Sequence, residues 1–328
     1  MHKEHRSDSA STSTRQRKSR SHAIAGFASA VLILIASSSP GWSQTWLKMP
    51  EAGTKYAEAG NWSSLWWLPE PGIAHVKGAQ VAVTPEASIP PHLIFVPPGD
   101  PPADGWPMIV FLHGQGESSP SPLPRVALQG PPQHAGRHPT SLPFVVVSPQ
   151  KPMRLQFYDD EVAAGIKSLI THYTMTLSLD KQRVYLTGLS QGGIGTWNLA
   201  SDPTFANMFA AIAPVCGGMR PLSRAAQLNT TPIFAFHGEN DSILPVSLSD
   251  ASVQACSSET RSRRAGKVKY ERIADAPGFD YSWSAAGIPY MEGHASWMNA
   301  YYPKESVVEE LATFPLYTWL LAHSLGSD

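Results

Sequence analysis

Cysteine is scarce in this sequence. The 328 residues contain two, Cys216 and Cys256, with no CxxC pair and no cluster of cysteine and histidine that would indicate a metal site. In an oxidising compartment we expect these two cysteines to form a disulfide, and the alternative is a pair of free, buried thiols. The sequence leaves that alternative open, because a bridge requires the two Cα atoms to lie within about 7 Å.

The chain also lacks an excess of charge of either sign. It contains 25 Lys and Arg against 26 Asp and Glu. Residues 1–43 hold six of the basic and two of the acidic side chains, so residues 44–328 carry 19 basic and 24 acidic ones, a net charge of −5. A mildly acidic surface does not attract phosphate backbones or anionic bilayers. We therefore expect neither nucleic acid nor a membrane surface as a partner, and the sequence gives no indication of an oligomeric state.

The apolar run near the N-terminus, roughly residues 23–36, is too short for a membrane span, which needs about 20 apolar residues. It follows a basic stretch that ends at Arg20 and precedes the small residues Gly41 and Ser43. This order predicts a signal peptide over residues 1–43, cleaved before Gln44. The protein would then be secreted or periplasmic, without stable membrane association. An uncleaved N-terminal anchor is the alternative, and it also places the rest of the chain outside the cytoplasm.

Short apolar runs predict the strands of a sheet. The first two indicate an opening hairpin or edge strands, and the later ones are unbroken, as in parallel strands buried on both faces. In chain order the runs are Val81–Val83, His92–Val96, Met108–Leu112, Phe144–Val147, Val184–Thr187, Ala210–Ala213, Ile233–Phe236 and Val268–Ile273.

Helical patterns lie between these runs. Apolar residues spaced by three and four predict a helix over 159–176, and a final helix over 307–323 is expected to be interrupted near Pro315. Alternating strands and helices predict an α/β fold with a mostly parallel sheet and helices on both faces. We expect residues 44–328 to form a single catalytic domain, with insertions near 120–143 and 275–293, where no periodicity is found.

The segment Gly188-Leu189-Ser190-Gln191-Gly192 has the pattern G-x-S-x-G, a strained turn between a strand and a helix that presents a serine. The run Val184–Thr187 precedes it, and a helical stretch through Leu199 follows it. Glycine is expected on either side because side chains there would collide with the neighbouring strand and helix. Ser190 is therefore the candidate nucleophile, and an ordinary glycine turn is the alternative.

A serine hydroxyl needs a base to take its proton. In proteins with this turn, an acid and then a histidine follow the serine along the chain. Asp241 comes shortly after the run that ends at Phe236, so we expect its side chain in the crevice at the carboxyl ends of the strands. Asp241 is the candidate acid, with Glu239 as the alternative.

His294 is the candidate base, because it follows the predicted strand 268–273 and lies shortly before the final helix. It would take the proton of Ser190, while Asp241 orients its ring and stabilises the imidazolium. Other histidines are placed less well, either in the terminal helix or before the serine: His323, His172 and His134.

Two backbone N–H groups are needed to bind the oxyanion of a tetrahedral intermediate. One is expected from Gln191, which follows the nucleophile, and the other from the loop after the run Met108–Leu112. Glycines in that loop let the backbone approach a substrate closely. Gln115 is the expected second donor, and Gly114 is the alternative. His113, in the same loop, is expected to hold the loop rather than to act as a base.

In combination and in this order, the motifs resemble the polyhydroxybutyrate-depolymerase-like and phospholipase/carboxylesterase-like branch of the α/β-hydrolase superfamily, which includes feruloyl and acetyl-xylan esterases. The resemblance covers roughly residues 90–325 and implies the α/β-hydrolase fold, with Ser190, Asp241 and His294 as a catalytic triad. The segments that carry it are Val110–Glu117, Val184–Gly193, Ala211–Gly218, Phe236–Asp241 and Gly293–Trp297.

These observations predict an exported serine hydrolase that cleaves carboxylic esters through an acyl-enzyme. Its substrate would be a small-molecule or polymeric ester, and the chemistry requires no metal or organic cofactor. A serine peptidase of the same fold is one alternative, since the same triad serves both reactions. A non-catalytic binding protein on a hydrolase scaffold is the other. The esterase is favoured because peptidases of this fold usually carry a large extra domain.

Overall fold

A central β-sheet organises the chain. The computed structural model describes residues 77–83, 88–259, 267–279, 291–302 and 315–326, together with three short strands nearer the N-terminus. The strands form one sheet in the order β1-β2-β3-β4-β5-β7-β6-β8-β9-β10-β11. In chain order they are β1 Leu34–Ala36, β2 Gln44–Leu47, β3 Leu65–Trp67, β4 Gln80–Val83, β5 His92–Phe95, β6 Trp106–Leu112, β7 Val145–Pro149, β8 Leu179–Leu189, β9 Ala211–Val215, β10 Ile233–Gly238 and β11 Val268–Ile273.

The neighbouring strands β7, β6, β8, β9, β10 and β11 all run parallel. β4 is antiparallel to β5, and β5 is antiparallel to β7. The expectation of opening strands beside a parallel sheet is confirmed, and each apolar run named above corresponds to a strand. The carboxyl ends of the parallel strands therefore lie along one edge, where their loops can meet.

Both faces of the parallel strands are buried. Along β6, Met108, Val110 and Leu112 belong to one hydrophobic cluster, and Ile109 and Phe111 belong to another. Successive side chains of a strand point to opposite faces, so these are the two faces of the sheet. All five side chains are fully buried, which explains why the run is apolar without interruption.

The helices divide between the two faces. Those on the first are represented in its cluster by Ile166, Trp197 and Cys256, and those on the second by Ala135 and Tyr301, so the prediction of helices on both faces is confirmed. In chain order the helices of the described residues are α1 Gly130–Arg137, α2 Asp160–Thr176, α3 Gln191–Ala200, α4 Ser247–Glu259, α5 Trp297–Tyr301 and α6 Pro315–Leu321.

The stretch 120–143, which the sequence indicates as an insertion, contains regular structure. A 3-10 helix, Leu123–Leu128, leads into α1. Parallel strands need a crossover connection, usually a helix, and α1 lies in the one that joins β6 to β7. In the second expected insertion, 275–293, residues 280–290 lie outside the described residues. Residues 303–314, which include the beginning of the predicted final helix, also lie outside them, and α6 begins at Pro315.

All described residues belong to one compact unit, Val31–Asp328. The predicted leader, residues 1–43, lies outside the described residues apart from β1. Within the part of the chain that the structure describes, no helix combines the length and the apolar character needed to cross a membrane.

The expected disulfide is wrong, because Cys216 and Cys256 are free and buried. Cys216 follows β9 and belongs to the cluster on one face of the sheet, whereas Cys256 lies on α4 in the cluster on the other face. The sheet separates the two thiols. The alternative of two free, buried thiols is the one that the structure shows.

Candidate active site

Ser190 occupies the turn between β8 and α3. Its backbone has φ 54° and ψ −117°, a conformation that costs a non-glycine residue about 1–3 kcal/mol. The neighbouring strand holds this turn, because the N–H of Ser190 lies 3.0 Å from the carbonyl oxygen of Val215 and 3.1 Å from the Sγ of Cys216. The strained serine turn that the G-x-S-x-G pattern predicts is therefore present.

Glycine is required around this turn because the neighbouring backbone leaves no space for a side chain. A Cβ on Gly188 would lie 2.5 Å from the carbonyl oxygen of Gly192, and one on Gly192 would lie 1.9 Å from that of Leu112. A Cβ on Gly193 would lie 2.0 Å from the carbonyl oxygen of Val215. The start of α3 thus packs directly on the backbones of β6 and β9, which places Ser190 at the carboxyl edge of the sheet.

The structure brings Ser190, His294 and Asp241 into one chain of hydrogen bonds. The Nε2 of His294 lies 2.9 Å from the Oγ of Ser190, and its Nδ1 lies 2.8 Å from the Oδ2 of Asp241. The side chains of His294 and Asp241 are buried. Glu239, the alternative acid, pairs instead with Arg272 at 3.0 Å, and its side chain is 41% exposed.

The loops that carry the acid and the histidine are joined to each other. The side chain of Asn240 exchanges two hydrogen bonds with the backbone of Ala276, at 3.1 and 3.0 Å. The N–H of Ser242 donates to the carbonyl oxygen of Glu292 at 3.0 Å. Gly293 has φ +66°, and a Cβ there would lie 2.3 Å from the carbonyl oxygen of Asn240. These contacts fix His294 relative to Asp241 although 53 residues separate them.

Asp241 is held as a carboxylate. Burial alone would raise its pKa, but hydrogen bonds from His237, His294 and the backbone of Leu244 outweigh this and hold the pKa of Asp241 well below its usual value. Its Oδ1 accepts the N–H groups of Ile243 and Leu244, both at 2.9 Å. A carboxylate in this position can stabilise an imidazolium on His294.

His237 is a neighbour of the acid that the sequence reasoning missed. Its Nε2 lies 3.3 Å from the Oδ2 of Asp241 and 2.8 Å from the carbonyl oxygen of Leu244, and its Nδ1 lies 2.7 Å from the Oγ of Ser249. Because Nε2 faces two oxygens that carry no proton, Nε2 bears the hydrogen. The signal was the pair His237-Gly238 at the end of β10, four residues before the acid.

The loop with the predicted second oxyanion donor lies beside Ser190. A Cβ added to Gly114 would lie 3.9 Å from the Cβ of Ser190. Gln115, the next residue in this loop, remains the predicted second donor, with Gly114 as the alternative. Gln115 and Gln191 each begin a helical turn, so neither N–H has an acceptor within its own helix.

His113 has the structural role that the sequence predicts. Its side chain is buried, its Nδ1 bonds the carbonyl oxygen of Gly114, and its Nε2 accepts the N–H of Lys151 at 3.3 Å. Burial lowers the pKa of His113 to about 3. A neutral ring that bridges two backbone segments holds the loop in place.

Within the described residues, Cys216, Asp241 and His294 have ligand atoms within 4.8 Å of one another, as a metal site would require. His294 and Asp241 are already bonded to each other. Burial, and then the carboxylate of Asp241, raise the pKa of the Cys216 thiol well above its usual value, which disfavours a thiolate ligand. His294 and Asp241 are joined by their hydrogen bond, and Cys216 lies beside them because its Sγ accepts the N–H of Ser190.

Part of the chain matches a known protein family. Residues 144–275 match the Phospholipase/Carboxylesterase family of the α/β hydrolases, a range that begins at β7 and includes Ser190 and Asp241. A bifunctional acetylxylan esterase/xylanase from Neocallimastix patriciarum is 33% identical over 104 residues, which are 31% of this chain and 15% of that protein.

Among solved structures, a thermostable esterase is 28% identical with a TM-score of 0.52, and the match covers 71% of this chain and 59% of the esterase. The chain thus spans less than two thirds of the length of each of these two relatives.

Proposed function

We propose that this chain, which has the α/β-hydrolase fold, is a serine esterase that cleaves carboxylic esters through an acyl-enzyme, with Ser190, His294 and Asp241 as its catalytic triad. The observation that carries the proposal is the continuous chain of hydrogen bonds from the Ser190 hydroxyl through His294 to Asp241, at 2.9 and 2.8 Å. That geometry lies within the range required for proton transfer between a nucleophile and its base.

In the first half of the reaction, the Nε2 of His294 takes the hydroxyl proton as the Oγ of Ser190 bonds to the carbonyl carbon. The negative charge that develops on the carbonyl oxygen is bound by the N–H groups of Gln191 and Gln115 and favoured by the N-terminus of α3. His294 then protonates the leaving alcohol oxygen as the ester C–O bond breaks.

In the second half, water attacks the acyl-enzyme. His294 takes a proton from the water, the new tetrahedral intermediate occupies the same oxyanion site, and the Ser190 oxygen leaves with the proton that His294 returns. Asp241 stabilises the imidazolium in both halves, and the bonds it accepts from His237 and two backbone N–H groups keep it ionised. Each step is supplied by side chains and backbone groups of this chain.

Replacement of Ser190 by alanine tests the proposal. The variant Ser190→Ala should lose turnover of short p-nitrophenyl esters, with a fall in kcat of about 10⁶-fold, the size seen when a triad nucleophile is removed. A fluorophosphonate probe should label the native protein and not the variant. Turnover by the variant, or labelling of it, would contradict the role of Ser190.

A panel of esters identifies the substrate class. Short acyl esters, feruloyl esters, acetylated sugars, a polyester and peptides should be compared by kcat/KM. Acetylated sugars are included because one relative is named an acetylxylan esterase. We expect the esters to exceed the peptides, and faster hydrolysis of a peptide bond would favour the peptidase.

We also propose that residues 1–43 direct export. The support is the order of basic, apolar and small residues in the sequence. The sequence at the N-terminus of the exported protein should begin at Gln44, and a mature protein that retains the apolar run would indicate the anchor instead.

A further inference from the structure

A buried lysine holds the loop that carries Gln115. Lys151 follows β7 and is fully buried. Its Nζ donates to the Oγ of Ser118 at 2.9 Å, to the Oε1 of Gln115 at 3.3 Å and to the carbonyl oxygen of Pro152 at 3.2 Å. A buried ammonium is tolerated where acceptors replace its water, and two of these three acceptors belong to the loop.

The backbone of Lys151 bonds the same loop at both ends. Its N–H donates to the Nε2 of His113 at 3.3 Å, and its carbonyl oxygen accepts the N–H of Ser119 at 2.9 Å. The side chain of Gln115 adds a bond from its Nε2 to the carbonyl oxygen of Met153 at 3.1 Å. One short segment after β7 therefore fixes the start, middle and end of the loop from His113 to Ser119.

We propose that Lys151 is a positioning residue for oxyanion binding, because its ammonium fixes the loop so that the N–H of Gln115 stays directed at the oxyanion beside Ser190. This inference rests on the proposed esterase function. Lys151 acts through Gln115 and does not touch the substrate. Preorganised donors stabilise a transition state because they need not reorient as charge develops.

The groups that face Lys151 give the inference a dependence on pH. They are Glu117 and His113, which belong to the loop, and Asp159, which directly precedes α2. Burial lowers the pKa of Lys151 to about 8, and the carboxylates of Asp159 and Glu117 partly oppose the shift. Burial raises the pKa of Glu117 to about 7 and lowers that of His113 to about 3. Above pH 8 the ammonium loses its proton, and kcat should fall.

The experiment compares the native protein with Lys151→Met and Lys151→Arg, using kcat and KM for p-nitrophenyl acetate and the inhibition constant of phenylboronic acid, a mimic of the tetrahedral intermediate. Lys151→Met should lower kcat by about 10–100-fold, less than the loss of a whole oxyanion donor, with KM little changed. Boronate affinity should fall in parallel. Lys151→Arg should recover most of kcat and stay active above pH 8, where the native rate declines.

Lys167 supplies the matched control. Its ammonium donates to a backbone carbonyl, that of Thr204 at 2.7 Å, but on the exposed side of α2. Lys167→Met should retain the native kcat, boronate affinity and pH profile. A loss of activity equal to that of Lys151→Met would show that any removed lysine has this effect, and would overturn the inference.

Gln115→Ala keeps the inference testable if Lys151→Met does not fold, because Gln115 is exposed. It should lower kcat several-fold. Where Lys151→Met folds, the double variant should lose less than the product of the two single losses, since the two side chains share one of their contacts. Native kcat and boronate affinity in a folded Lys151→Met or Gln115→Ala would overturn the inference. Boronate binding is measured without turnover. If the native protein hydrolysed no ester, the proposed function would be contradicted, but boronate affinity in the variants would still test the role of Lys151.

Discussion

Asp241 and Glu239 both follow β10, and the proposed mechanism gives a catalytic role only to Asp241. Asp241→Asn keeps the shape but replaces the charge with an amide, so it no longer stabilises an imidazolium or selects the required tautomer of His294. We expect kcat to fall by about 10⁴-fold, the effect of this change in another serine triad. Steady-state kinetics on p-nitrophenyl acetate measure it.

Glu239→Gln is the control for that change. Glu239 forms an exposed ion pair with Arg272, and such pairs contribute at most about 1 kcal/mol to stability. This variant should keep nearly native kcat. A larger loss for Glu239→Gln than for Asp241→Asn would assign the acid to Glu239.

At the same scale, the sequence predicted the residues that a motif and the order of the chain define. Ser190, Asp241 and His294 follow from a turn pattern, a strand end and a late histidine, and the structure brings them together. Lys151 could not be found in this way. Its contacts with Gln115 join residues 36 positions apart, and only the parallel pairing of β6 with β7 places them side by side.

The junction of β8 and α3 depends on close backbone contact. In Gly192→Ala the added Cβ would meet the carbonyl oxygen of Leu112 at 1.9 Å, so helix and strand must separate. We expect a loss of more than 3 kcal/mol in the free energy of unfolding, above the range of most substitutions, and loss of ester turnover. Urea denaturation measures the first of these.

Gly165→Ala, in the middle of α2, is the matched control. Its Cβ would lie 3.2 Å from the side chain of Pro90 and at the ordinary contact distance of 3.5 Å from the carbonyl oxygen of Ser88. Alanine is favoured over glycine in a helix by about 1 kcal/mol. This variant should keep native activity and differ from the native stability by less than Gly192→Ala does. Equal losses of stability and activity in the two variants would contradict the explanation that lack of space at the serine turn causes the effect of Gly192→Ala.

Elements with long or repeated signals were predicted from the sequence, and α1 was not. The 17 residues of α2 are long enough for a periodic pattern, and the strands of the parallel sheet are unbroken apolar runs. α1 has eight residues and begins Gly130-Pro131-Pro132, a composition typical of loops. Proline is compatible with the first turn of a helix, where its missing N–H would have no acceptor. Contact with the sheet stabilises α1 as a helix, and the sequence does not show that contact.

At the scale of the whole molecule, the sequence predicts least well on which face of the sheet a given side chain lies. The α/β architecture followed from alternating strands and helices. The disulfide expectation was wrong because the faces to which Cys216 and Cys256 belong depend on how α4 packs and how the chain turns after β9. For the same reason, the sequence does not show which histidines are buried. Their burial determines how the stability of the protein changes in acid.

Three buried histidines should make the protein unstable in acid. Burial lowers the pKa of His92 to about 4 and those of His113 and His134 to about 3, from 6.5 when exposed. Near pH 5.5 the unfolded chain therefore binds three protons that the folded protein does not. Burial raises the pKa of Glu117 from 4.5 to about 7, so there the folded protein binds one proton that the unfolded chain does not. Stability should thus fall with decreasing pH through a net uptake of two protons, about 2.7 kcal/mol per pH unit.

Urea denaturation between pH 5 and pH 6 measures this slope, and two substitutions should change it in opposite directions. His92→Gln removes one group that takes up a proton on unfolding, so the slope should fall to about 1.4 kcal/mol per pH unit. Glu117→Gln removes the group that releases one, so the slope should rise to about 4 kcal/mol per pH unit. The slope is read apart from absolute stability, because each substitution also removes hydrogen bonds. Two results would contradict this prediction: a slope near zero in the native protein, or a shift of the slope in the same direction in both variants. Either result would mean that the histidines are not buried as neutral rings or that Glu117 is not buried in its protonated form.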